Sequence, residues 1–169
     1  GRIVVANSGS NELRIYSPDG VFLSSSGRTG AGPGEFESLW GVFPLPGDSL
    51  LAFDYQSDRL SIFDEDGVFS RVVERRDTAV WRARVYGSMP DGTIITTQAV
   101  ERYSHLSLPT GFLRHPTHWI RRSIDFLPID TLGTFPSDEV LNIHLDNSAT
   151  YLDTPFTKQT HAALRRDDV

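Results

Sequence analysis

The sequence predicts an all-β fold built from repeated four-stranded units. Three observations predict it: an internal repeat at an offset of 47 residues, short apolar runs separated by Gly-, Pro- and Asp-rich turns, and no segment with a sustained helical period. At that offset, residues 3–22 (IVVANSGSNELRIYSPDGVF) lie over residues 50–69 (LLAFDYQSDRLSIFDEDGVF). Seven of the twenty pairs are identical, including Leu13/Leu60, Ile15/Ile62, Gly20/Gly67 and Phe22/Phe69; others swap like for like, as in Asn7/Asp54. A period of about 40–50 residues made of short strands is that of a β-propeller, each period supplying one antiparallel blade.

Taken in order, the first unit shows strands at 3–6, 13–16 and 21–25, and its innermost strand would precede residue 1. The connection Gly27-Arg-Thr-Gly-Ala-Gly-Pro-Gly-Glu-Phe36 has no Gly-Lys-Ser/Thr ending and no helix after it, so it is not a phosphate cradle. Its glycines are expected to permit a sharp crossing between units, with Phe36 filling the gap. The second unit reads as Trp40–Phe43, a turn at Pro44–Asp48, Leu50–Phe53 covered on both faces, Arg59–Phe63, an Asp66-Gly67 hairpin turn and Val68–Val73. The third unit has strands at 83–88, 93–97, 119–124 and 129–132, interrupted by a long loop after 97. A fourth innermost strand is expected near 157–164, preceded by an inserted hairpin of Val140–Leu145 and Ala149–Leu152. The units are therefore 1–26 (partial), 39–74, 81–134 and 138–169 (partial). Closure needs about four to eight blades, so the chain is expected to form an incomplete six-bladed ring, or a half-ring completed by self-association.

The pattern Gly-x-Gly-Pro-Gly-Glu-Phe, an inner strand, then LLAFD…DRLSIFDEDGVF resembles NHL-type repeats and the six-bladed β-propeller families near them. The resemblance covers residues 1–73 closely and 81–134 loosely. It implies a scaffold that binds a protein or small ligand. It also implies an alternative, a lyase or hydrolase working with a metal ion in the central channel.

Composition narrows the function classes. A net charge of −6, from 16 basic and 22 acidic residues, argues against nucleic acid, which wants a basic field. The pairs Arg75-Arg76, Arg121-Arg122 and Arg165-Arg166 read as solvated surface. The absence of Cys excludes disulfides, thiol nucleophiles and Cys-ligated zinc. No run reaches the length of a membrane span. The chain opens directly in a strand pattern and reads as part of a longer, extracytoplasmic bacterial protein, periplasmic or secreted.

Alternating strand directions put every long connection, 27–36, 101–117 and 137–155, at one end of the units, and the short turns at the other. Binding residues concentrate on such loops. The candidate ligand contacts are Arg28, Arg102, Tyr103, His105, Arg114 and His115, and the ligand expected is a peptide, a glycan or a small molecule. Asn7 and Asp54 end the second strand of two units. They are either ligands for a hard cation such as Ca²⁺ or caps for their own turns. No His-Glu-x-x-His or Gly-x-Ser-x-Gly pattern assigns a catalytic residue. Trp40, Trp81 and Trp119 are expected to fill the space between units, with Trp40 or Trp81 alternatively rimming a channel.

Overall fold

The computed structural model describes residues 1–73, 83–100, 108–145 and 148–152. These residues are all-β, apart from a 3-10 turn at Pro46–Asp48, and form four antiparallel sheets. The first has three strands, β1 (Ile3–Asn7), β2 (Glu12–Tyr16) and β3 (Phe22–Ser26), in that order. The second runs β4 (Leu39–Pro44), β5 (Leu50–Asp54), β6 (Arg59–Phe63), β7 (Phe69–Val72). The third takes β8 (Arg84–Ser88), β9 (Ile94–Ala99), β11 (Pro116–Arg122) and β12 (Pro128–Pro136). The fourth pairs β10 (Gly111–Leu113) with β13 (Val140–Leu145), and β13 with β14 (Ser148–Leu152). Among the described residues the sheets do not close into a ring.

Alternation of side chains decides how successive sheets stack. In β5 all five residues are buried, as the continuous apolar run predicts. Leu51 and Phe53 join Leu60, Val85, Ile94 and Phe126 in a core shared with the third sheet. Leu50 and Ala52 face the other way, joining Leu13, Phe36, Leu39 and Phe63 in a core shared with the first sheet. The second sheet is thus sandwiched, with β1 beside β4 and β4 beside β8.

The connection at 27–36 folds on itself. Thr29 bridges Phe36, and the Gly30 amide donates to the Phe36 carbonyl at 3.0 Å. Phe36 is fully buried and stacks on Phe63 with ring centroids 5.8 Å apart. Gly27 has a φ of +87°, and a Cβ there would meet Phe36 Cε2 at 2.6 Å, so the crossing admits only glycine. Two side chains then clamp the next segment. Asn11 Oδ1 accepts from the Leu39 amide at 2.9 Å, and Asp54 accepts from the Glu37, Ser38, Gln56 and Ser57 amides at 2.7–3.2 Å. Asn11 and Asp58 both take left-handed backbone at the close of their four-residue turns, a conformation Asn and Asp tolerate.

Contacts fix the relative direction of the sheets. At one end Arg2 binds the Glu65 carbonyl and Asp66, Ser88 Oγ donates to the Pro44 carbonyl, and Gly92 abuts Pro46. The short turns therefore lie together. Asp91 there has its carboxyl held down to about 2, first by the Thr93 hydroxyl and amide and then by Arg121. A carboxyl lowered on folding stabilises above its ordinary value of 3.8, and that stabilisation is lost as pH falls through about 2. Asp91→Asn is accordingly expected to flatten the change in unfolding midpoint between pH 4 and pH 2, followed by circular dichroism.

The opposite end carries the segments 27–38, 108–115 and 137–139, as strand direction predicts. The segment 101–117, read from sequence as one loop, contains β10. Gly111-Phe112-Leu113 is too short to show a strand period, and its pairing comes from β13 (Gly111↔Asn142 to Leu113↔Val140). Buried Asn142 fastens it further, donating to the carbonyls of Leu108 and Pro109 at 3.2 and 3.0 Å. The hairpin expected at 140–152 is present as β13 and β14. Because Ser137 N donates to His115 O at 2.7 Å between the β11–β12 and β10–β13 ladders, the two ladders continue one another as a ribbon. The innermost strand expected at 157–164 lies outside the described residues, as do Trp81, Arg75-Arg76 and Arg165-Arg166.

Candidate functional site

Two edge strands carry the same irregularity. In β4 the ladder to β5 jumps from Leu39↔Asp54 to Gly41↔Phe53, leaving Trp40 as the extra residue of a β-bulge. In β8 the ladder to β9 jumps from Val85↔Thr96 to Gly87↔Ile95, leaving Tyr86. Bulges re-aim a side chain and end regular pairing, and they gather near functional sites. Each extra residue is an aromatic followed by glycine, and each is exposed, Trp40 by 52% and Tyr86 by 37%.

Arg84 joins the two. Its guanidinium carbon lies 5.3 Å from the Trp40 ring centroid and 5.6 Å from that of Tyr55, both within cation–π range. Trp40 and Tyr55 are 5.7 Å apart, and Tyr86 leans on Trp119 at 4.8 Å. Partial burial opposes the charge on Arg84, yet its pKa is raised, because the neighbouring Tyr55 and Tyr86 favour the charged form. Among the described residues no carboxylate pairs with Arg84, whereas Arg2, Arg14, Arg28 and Arg121 each have one. The result is a partly exposed cation framed by aromatic rings, on the β4 and β8 edges of two sheets and beside the turn that carries Tyr55. Chemically it can bind: it offers flat apolar faces and charged donors.

The residues picked from sequence are dispersed by comparison. Arg28 is exposed and ion-paired with Glu35, its Nε 2.7 Å from Oε1. The Glu35 carboxyl is held below its usual range, chiefly by the Gly32 amide and then by Arg28. Arg114 and His115 sit at the joint of the ribbon, Arg114 Nε donating to the Ser137 carbonyl at 2.7 Å and the His115 amide to Ser137 Oγ at 3.0 Å. Arg102, Tyr103 and His105 lie outside the described residues. Asn7 Oδ1 accepts from the Gly9 amide at 3.3 Å, and both oxygens of Asp54 are engaged by the four amides named above. Both side chains are disposed as turn caps, and among the described residues no group of three His, Cys, Asp or Glu gathers around them.

Two readings change. Trp40 is half exposed, because the bulge turns it outward; among the described residues Trp119 is the buried tryptophan, at 8% exposure. Arg122, read as solvated surface, is buried to 1% exposure, because alternate residues of β11 face the core. Its Nε donates to Thr96 Oγ1 (3.1 Å), one terminal nitrogen to the Phe126 carbonyl (2.9 Å) and the other to Gln98 Oε1 (2.8 Å). Sequence reading missed Tyr55, Arg84 and Tyr86. The recoverable signal was the dipeptide Trp40-Gly41 recurring as Tyr86-Gly87 in the same place of the next unit.

No protein-family model matches the sequence, and no curated protein matches it. Among solved structures, the chain is similar to a candidate exported protein from Bacteroides fragilis NCTC 9343, at 17% identity and a TM-score of 0.55. The match covers 95% of this chain and 48% of that one, so the chain spans about half the length of its structural neighbour. At that identity the likeness is one of fold. No helix among the described residues is long and apolar enough to cross a membrane.

Proposed function

We propose that the chain is part of a β-propeller with NHL-type blades, and that it binds a ligand without catalysing a reaction. The sheets serve as blades, with β4 and β8 innermost and facing the axis. Support for the arrangement comes from the sandwiching of the second sheet and the common direction of all three. The observation that carries the binding role is the exposed pair Trp40 and Tyr86, set on matching bulges around Arg84. Large rigid aromatics with a guanidinium are the groups that dominate recognition surfaces. The metal-assisted hydrolase reading would rest on Asn7 and Asp54, and their oxygens are already taken by backbone amides. A location outside the cytoplasm is proposed on the structural neighbour's name.

Screening the purified chain against glycan and peptide arrays tests the reading. The double variant Trp40→Ala/Tyr86→Ala is expected to lose binding to its best hit by about thirtyfold or more, from about 2 kcal/mol of truncated contact. Undiminished binding by a folded double variant would remove the inner edge as the site.

A further inference from the structure

Resting on that reading of the inner edge, we propose that the site takes a carboxylated saccharide, a uronic-acid unit held by Arg84 and stacked on Trp40. Three features of the cluster converge on this chemistry. Arg84 keeps donors to spare: a guanidinium has five N–H groups in a planar fork, and its close neighbours are the ring faces of Trp40 and Tyr55. A carboxylate is the group that matches the fork in a bidentate manner, and none pairs with Arg84 among the described residues. The cation is also partly desolvated, which strengthens an incoming anion's bond relative to one made in water.

Trp40 supplies the second half of the recognition. Its ring is half exposed and inclined to Tyr55, giving a flat apolar surface for the C–H face of a pyranose beside the charge. Tyr86, exposed on the bulge of β8, adds a hydroxyl suited to a sugar hydroxyl.

The bulges favour a saccharide over a peptide. β4 and β8 are edge strands of their sheets, where an extended peptide would add by backbone pairing. Both edges are interrupted in mid-strand, at Trp40 and Tyr86, which breaks the row of amides and carbonyls such pairing needs.

Calorimetric titration of the chain with trigalacturonate and with its methyl ester tests the assignment. The acid is expected to bind at least tenfold more tightly than the ester, with the difference shrinking as salt is raised. Arg84→Gln should abolish that preference while leaving weak binding of both sugars, Arg84→Lys should restore part of it, and Trp40→Ala should weaken acid and ester alike. If Arg84→Gln does not fold, Arg84→Lys stands in for it and should show a reduced preference, because an ammonium lacks the planar fork. Equal binding of acid and ester by the unmodified chain, or a preference that persists in Arg84→Gln, overturns the role of the carboxylate and leaves the inner edge standing as a site. Failure of the acid to bind at millimolar concentration overturns the proposal, and so does tighter binding of a peptide with a free C-terminal carboxylate. Loss of all array binding on Trp40→Ala alongside either result would show that the binding surface itself had been placed correctly.

Discussion

Replacing Asp54 by alanine is expected to destabilise the chain by about 4 kcal/mol, a fall of roughly 10 °C in Tm. The carboxylate is fully buried and accepts four backbone N–H bonds, two from its own turn and two from the segment entering β4. Alanine leaves those donors without their acceptor and frees residues 37–38 from the turn after β5, so the damage reaches the packing of the first sheet on the second. Asp54→Asn should do roughly half the harm: one amide oxygen still accepts, as Asn7 Oδ1 does at the equivalent place, but the NH₂ confronts donors. Thermal unfolding by circular dichroism reads both. A shift of under 2 °C for the alanine variant would mean that water replaces the carboxylate readily, against its burial.

A similar loss is expected from Arg122→Ala, about 3 kcal/mol or more, for a different reason. The side chain lies along the inner face of the third sheet, bonded to Thr96, Gln98 and the Phe126 carbonyl and stacked on the Phe126 ring at 5.3 Å. Truncation opens a cavity and strands three acceptors. Arg122→Met restores the volume and removes the desolvated charge, so it should recover a good part of the stability although the acceptors stay unpaired. Urea unfolding of the two variants gives the comparison, and methionine proving worse than alanine would contradict this account.

Residues 1–73 were legible because their pattern is local. Period-2 alternation, Asp-Gly turns and a repeated tetrad of turn residues each declare a strand or its end, and the strands predicted there are those observed. The fourth sheet was half legible. Val140–Leu145 and its partner read as a hairpin, while β10 forms only because a distant strand offers it a ladder. The candidate site was nearly invisible for a related reason. A bulge suspends alternation at one residue, so the rule that puts Trp40 in the core fails at that position. Arg84 and Tyr55 come from different sheets, and no spacing in the sequence brings them together. Arg122 was misread for want of applying alternation to a charged pair: if Arg121 reaches Asp91 and Asp130 at the surface, its neighbour must face inward.

The central claim is that ligand binds the inner edges of β4 and β8, between Trp40 and Tyr86. A crystal structure of the chain with its strongest array ligand tests that most directly. The account predicts ligand density stacked on the Trp40 ring and within hydrogen-bond distance of Arg84. Density seated instead on the ribbon joint at Arg114 and His115, with the inner edge empty, would contradict it.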